Sequence, residues 1–281
     1  MADSKQQQVR VQTHLAELMR RPEEQISLAE AALVIAAVEY PNLDAQPYLR
    51  RLDAMAETVA GRVDGETDPF RIIAHINRFL FQEEGFFGNT QEYYDPRNSF
   101  LNEVLDRKVG IPITLSTVYL EIAGRLRFPL VGVGMPGHFL VKHPYFQILI
   151  DPFGRGRILT ESDCQRRMEQ VLGDSVEFHK SFLDAVGKRH IVTRMLNNLR
   201  AVYLNARQYQ KALDITDLAL AVQPDFADEH KQRAALLLHL RRYSDAAAEL
   251  HFYLEHSPEA EDAKEARETL ANLRKTIAQL N

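Results

Sequence analysis

A single cysteine, Cys164, is all the thiol chemistry this 281-residue chain possesses, which excludes an intramolecular disulfide and any metal site built on several thiolates. Lys and Arg never form a run and the formal net charge is −5, so the basic stripe expected of a nucleic-acid surface is missing. Long hydrophobic runs are missing too. The longest apolar stretch, "LAEAALVIAAV", is too short for a bilayer and is broken by Glu30. The amino-terminal "MADSKQQQVRVQTH" has no apolar h-region. These absences predict a soluble cytoplasmic protein with neither nucleic acid nor membrane as a partner. What is present, 45% hydrophobic and 26% charged residues, is an ordinary globular composition, with length for one large domain or two moderate ones.

The first hundred residues read as helices. "ISLAEAALVIAAVEY" places Leu28, Ala31, Ala32, Ile35 and Val38 near a 3.6-residue period, and Pro41 stops it. "DAQPYLRRLDAMAETVAGRV" continues in the same style, and Asp68 before Pro69 has the form of an N-cap opening "PFRIIAHINRFLFQEE". The segment "GFFGNTQEYYDPRNSFL" sets Phe86, Phe87, Tyr93, Tyr94 and Phe100 among turn formers, which predicts a loop that buries its rings. "IPITLSTVYLEIAGRL" returns to a helical period, with Pro112 at its start.

The period then changes. "PLVGVG", "HFLVKH" and "YFQILIDP" are short apolar runs between Pro/Gly turns, the pattern of neighbouring antiparallel strands, and helix on sheet makes the class α+β. His138 opens one of these runs and Asp151 closes the next. Side by side, an imidazole and a carboxylate are the base and orienting members of a nucleophilic triad. The same two residues also suit a hydrogen-bonded turn and a strand end.

Near the carboxyl terminus Tyr209, Ala212 and Pro224 recur 34 residues later as Tyr243, Ala246 and Pro258, the period of a tetratricopeptide repeat. The spacing predicts helices over His190 to Leu204, Tyr209 to Val222, Ala227 to Leu240 and Tyr243 to His256, with the charged final segment as a cap. The expected domains are 1–185 and 186–281.

The stretches "NSFLNEVLDRKVGIPITLSTVYLEIAGRL", "PGHFLVK" and "LIDPFG", followed by these repeats, resemble the bacterial SirB-type family of transglutaminase-like proteins over nearly the whole chain. The resemblance implies a papain/transglutaminase-like core, in which a helix N-terminus presents a cysteine to a His and an Asp on a small antiparallel sheet, followed by an α-helical tail. His138 and Asp151 match the pattern. The cysteine would fall around Pro112 to Thr114, where the chain has none.

A hydroxyl in its place needs an aligned base and an oxyanion hole. Thr114 is nearest to the expected position and Ser116 lies two residues on, on a different helical face, so only one of them can meet His138. Both could equally cap or back-bond the helix. Cys164 falls after the aspartate, out of chain order, and reads as a structural thiol. His138 and His143 point to opposite faces of an extended segment and no third ligand has zinc-like spacing, so no metal is expected. "GRGR" at Gly154 to Arg157 leaves room for an anion at the cleft edge but is no phosphate loop, and no cofactor is expected. Two functions follow: a degenerate, non-catalytic regulatory or interaction protein whose repeats meet a protein or peptide, or a hydrolase or acyl transferase using Thr114 or Ser116 with His138 and Asp151. The thiol's absence favours the first.

Overall fold

The computed structural model describes residues 2–173 and 176–280. They form two compact units, 20–195 and 1–19 with 196–281. These units differ from the expected division at 185/186: packing groups residues 186–195 with the core and the amino-terminal segment with residues 196–281.

In the unit 20–195 the helices are α2 (Leu28–Ala36), α3 (Gln46–Ala60), α4 (Pro69–Asn77), α5 (Leu101–Arg107), α6 (Pro112–Arg125) and α7 (Glu161–Leu172). Ser27 Oγ accepts from Glu30 N and Asp68 from Phe70 N, the side-chain caps that α2 and α4 need at their free amides. Buried residues occupy nearly all of α2, which is what a helix apolar on all sides requires. Helix α6 packs against α2, α3 and the sheet, and every residue from Pro112 to Tyr119 is buried.

The strands are β1 (Phe87–Gly88), β2 (Val109–Gly110), β3 (Val131–Val133), β4 (Leu140–His143), β5 (Ile148–Asp151), β6 (Arg157–Leu159) and β7 (Ala185–Val186). Five form an antiparallel sheet in the order β6-β5-β4-β3-β7, with Val141 opposite Ile150 and Leu149 opposite Leu159. The class is α+β as expected. The short β1–β2 pair is parallel and has no sequence signal of its own. The loop that precedes α5 buries Phe86 and Phe100, but Phe87, Tyr93 and Tyr94 are 41%, 36% and 63% exposed, contrary to the expectation that it hides all its rings. The β1–β2 pairing fixes Phe86 inward and turns the next side chain outward, because strand neighbours alternate faces.

The repeat helices are α8 (Lys188–Asn205), α9 (Tyr209–Val222), α10 (Ala227–His239), α11 (Tyr243–His256) and α12 (Ala263–Leu280), within two residues of the sequence reading at each repeat-helix boundary. The period is visible in the backbone: Arg207 and Arg241 take left-handed φ values of 55° and 58°. Ala212 and Ala246 are fully buried, as close helix approach demands. The sequence reads as helical over the first hundred residues without bounding a helix at the amino terminus, where α1 (Ala2–Arg20) buries Val11, Leu15, Leu18 and Met19, one stripe of a helix. Gln8 Nε2 donates to Asp214 Oδ1 at 3.1 Å and to Asp217 Oδ2 at 3.2 Å, tying α1 to α9.

Candidate functional site

The β4–β5 hairpin brings Asp151 opposite the segment that leads into β4, and a tight turn supplies the histidine. In that turn Gly137 has φ +72° and His138 N donates to Met135 O at 3.1 Å. His138 Nε2 lies 2.9 Å from Asp151 Oδ1, and the two residues are 4% and 2% exposed. Facing a carboxylate, Nε2 carries the proton, which leaves the Nδ1 lone pair as the ring's basic position.

Burial holds the His138 imidazole below its ordinary basicity, against the pull of Asp151. At Asp151 burial acts upward, but the hydrogen bond and charge of His138, together with Arg167 and the Gly154 amide, outweigh it and keep the carboxyl below its usual range. The pair is a neutral imidazole on an ionised carboxylate at neutral pH. Gly154 is needed there, since a Cβ would stand 2.7 Å from Asp151 Oδ2.

Phe153 is the hub of the surrounding packing. Its ring meets His138 edge-on at 5.9 Å and Tyr93 at 6.3 Å, and the Arg167 guanidinium lies 5.9 Å over it. Below it is Gly88, where a Cβ would come within 2.5 Å of the ring. Arg194, from α8, closes the other side: its Nη2 donates to Met135 O and His138 O, each at 2.7 Å, clasping the turn that carries the imidazole. Burial disfavours the Arg194 charge.

The hydroxyls do not join the pair. Thr114 Oγ1 accepts from Ile111 N at 3.1 Å and lies 2.8 Å from Asn98 O and 3.1 Å from Ile111 O, its possible acceptors. That is a helix cap, and it also explains Gly110, where a Cβ would meet Thr114 Oγ1 at 2.7 Å. Ser116 is fully buried and its Oγ has no hydrogen-bond partner among the described residues, so it does not reach His138 either. Cys164 is buried in α7, where burial, followed by Asp163, Asp151 and Glu161, pushes its thiol up to about 11. His143 is committed elsewhere, its Nδ1 accepting from Phe146 N at 3.3 Å. A cavity of about 700 Å³ between α2, the end of α6, β3 and β7 includes neither His138 nor Asp151.

Sequence reasoning thus found the pair and missed Arg194, Arg167, Phe153, Tyr93 and Gly88. Phe153 sits two residues after Asp151 and carries that proximity as its only signal. Arg194 stands in "HIVTRMLNNLR", which reads as the start of the repeats.

Residues 46–197 match the model of the transglutaminase-like superfamily and residues 199–271 that of the tetratricopeptide repeat. A UPF0162 protein of Xylella fastidiosa is 36% identical over 257 residues, covering 89% of this chain and 91% of that protein. A UPF0162 protein of Vibrio cholerae is 32% identical, covering 64% and 68%. Human F-box only protein 21 is 32% identical over 183 residues, 60% of this chain and 28% of that one. No solved structure matches. With the His–Asp hairpin and the repeat helices in place, the chain belongs to the UPF0162 family, a transglutaminase-like domain followed by tetratricopeptide repeats.

Proposed function

We propose that this is a non-catalytic regulatory or protein-interaction protein of the cytoplasm, in which a transglutaminase-like core keeps the base and orienter of a triad without its nucleophile. The observation that carries the reading is the buried His138–Asp151 pair, to whose imidazole no thiol or hydroxyl of the described residues is hydrogen-bonded. A triad needs the nucleophile within hydrogen-bond reach of the base, and Thr114 spends its hydroxyl on capping α6. The pair then serves to lock one tautomer and one orientation of His138 for recognition.

The repeats supply the partner surface in this reading, as stacked helical repeats commonly do for peptides and proteins. Gln8 ties helix α1 to α9, which supports a bracing role for that part of the stack. The α10–α12 part is left for a protein or peptide. No helix among the described residues is long and apolar enough to cross a membrane.

The test is an electrophilic fluorophosphonate probe on the full-length protein, alongside amidase and acyl-transfer assays. Absence of labelling at Thr114 and Ser116, with turnover at background, supports the reading. Labelling of Ser116 that disappears in His138→Ala overturns it in favour of a hydroxyl-based acyl transferase. Ser116 is the residue to watch because its Oγ is free of any protein partner.

A further inference from the structure

Strand β6 and helix α7 border a cavity of about 240 Å³ lined by Arg157, Leu159, Asp163, Arg166, Arg167 and Gln170. Three guanidiniums face one carboxylate, and that carboxylate is already engaged. Asp163 Oδ2 accepts from the Thr160 amide at 2.9 Å and its hydroxyl at 2.7 Å, while Oδ1 pairs with Arg166. Among the described residues the other two arginines have only long ion pairings: Arg157 stands 3.6 Å from Asp163 and Arg167 stands 3.8 Å from Asp151, both beyond hydrogen-bond length. Among the described residues, Arg167 Nε is buried with no hydrogen-bond partner.

We propose that this cavity binds a phosphate dianion, either free or as the phosphomonoester of a small molecule or a phosphorylated side chain. A carboxylate offers two oxygens and one charge, which one arginine fork satisfies. A phosphate carries a charge of about −1.5 to −2 on three acceptor oxygens, enough to meet the guanidiniums of Arg157, Arg166 and Arg167 together. Gln170 adds an amide donor at the rim.

The site is linked electrostatically to the His138–Asp151 pair through Arg167, which stands 3.8 Å from the Asp151 oxygen that His138 does not use. The charged groups acting on the imidazole are Asp151 on β5, Arg167 on α7 and Arg194 on α8, with Tyr93 beyond the Phe153 ring. An anion on Arg167 offsets a positive charge that opposes His138 protonation, so phosphate raises the basicity of His138.

The experiment titrates inorganic phosphate into the full-length protein and follows it by calorimetry and by the ³¹P line width. Saturable binding is expected, weakened about tenfold by Arg157→Gln or by Arg167→Gln, since each removes one charge-assisted contact. Arg155→Gln, in the adjacent turn but outside the cavity, leaves it unchanged. Arg157 is 68% exposed, so its variant keeps the test valid should Arg167→Gln fold poorly. Non-saturable binding, equal affinity in all variants, or displacement by equimolar acetate overturns the proposal. A phosphoserine peptide that binds more tightly than phosphate assigns a side-chain source, and one that binds no better assigns a small molecule. The His138 Cε1–H titration curve moves to higher pH with phosphate in the wild type and stays still in Arg157→Gln. A curve unmoved in both overturns the coupling.

Discussion

Arg194 and His138 are joined through the backbone: a guanidinium nitrogen of helix α8 donates to the carbonyl of His138 at 2.7 Å, as it does to that of Met135. This side chain of α8 therefore fixes the turn presenting the imidazole to Asp151. Arg194→Ala is expected to lower stability by about 1.5–3 kcal/mol, the range for hydrogen bonds to a charged donor. It should also broaden the His138 ring resonances. Urea unfolding gives the first quantity and NMR the second, and Arg194→Lys should recover only part of either because an ammonium lacks the planar fork.

The His138–Asp151 pair makes the fold acid-sensitive. His138 titrates below its ordinary value of 6.5 in the folded state, so the unfolded chain takes up this proton first. Its contribution is complete above about pH 6.5 and is lost as the pH falls towards the lower folded value. Asp151, also held low, adds a second loss below its ordinary 3.8. Melting temperatures measured from pH 8 to 4 should fall on the acid side of about 6.5, and His138→Gln should flatten that first segment.

Thr114 and Ser116 should respond with opposite signs. Thr114→Ala removes a buried cap and is expected to cost about 1–2 kcal/mol. Ser116→Ala removes a buried hydroxyl that has no partner and is expected to stabilise by about 1 kcal/mol. Chemical denaturation of the two variants decides the matter, and equal losses would contradict the assignment.

Gly88 has no room for a methyl group beneath Phe153. Gly88→Ala should cost about 1–3 kcal/mol by overpacking. Adding Phe153→Leu should recover part of that loss, a coupling visible in a double-mutant cycle.

In the repeats, Ala212→Leu or Ala246→Leu should each cost about 1–3 kcal/mol, because both alanines are fully buried where two helices approach. Thermal melts unchanged by both would place these residues away from a helix contact.

The repeat helices and the strands β3 to β5 were legible in the residues because their signals are local. The 34-residue recurrence of Tyr209, Ala212 and Pro224 marks helix positions, and short β-rich runs bounded by Gly and Pro mark strands. Because an antiparallel return brings the start of one run beside the end of the next, the meeting of His138 and Asp151 was legible too. Only tertiary packing decided the rest. That Arg194 clasps a turn 56 residues earlier, that Phe153 fills the space over Gly88, that Thr114 is used up by Asn98 and that Gln8 of α1 bonds to α9 are contacts between distant segments. A lone arginine, phenylalanine or glycine has no period along the chain, and its partner is fixed by how helices and sheet close around one another.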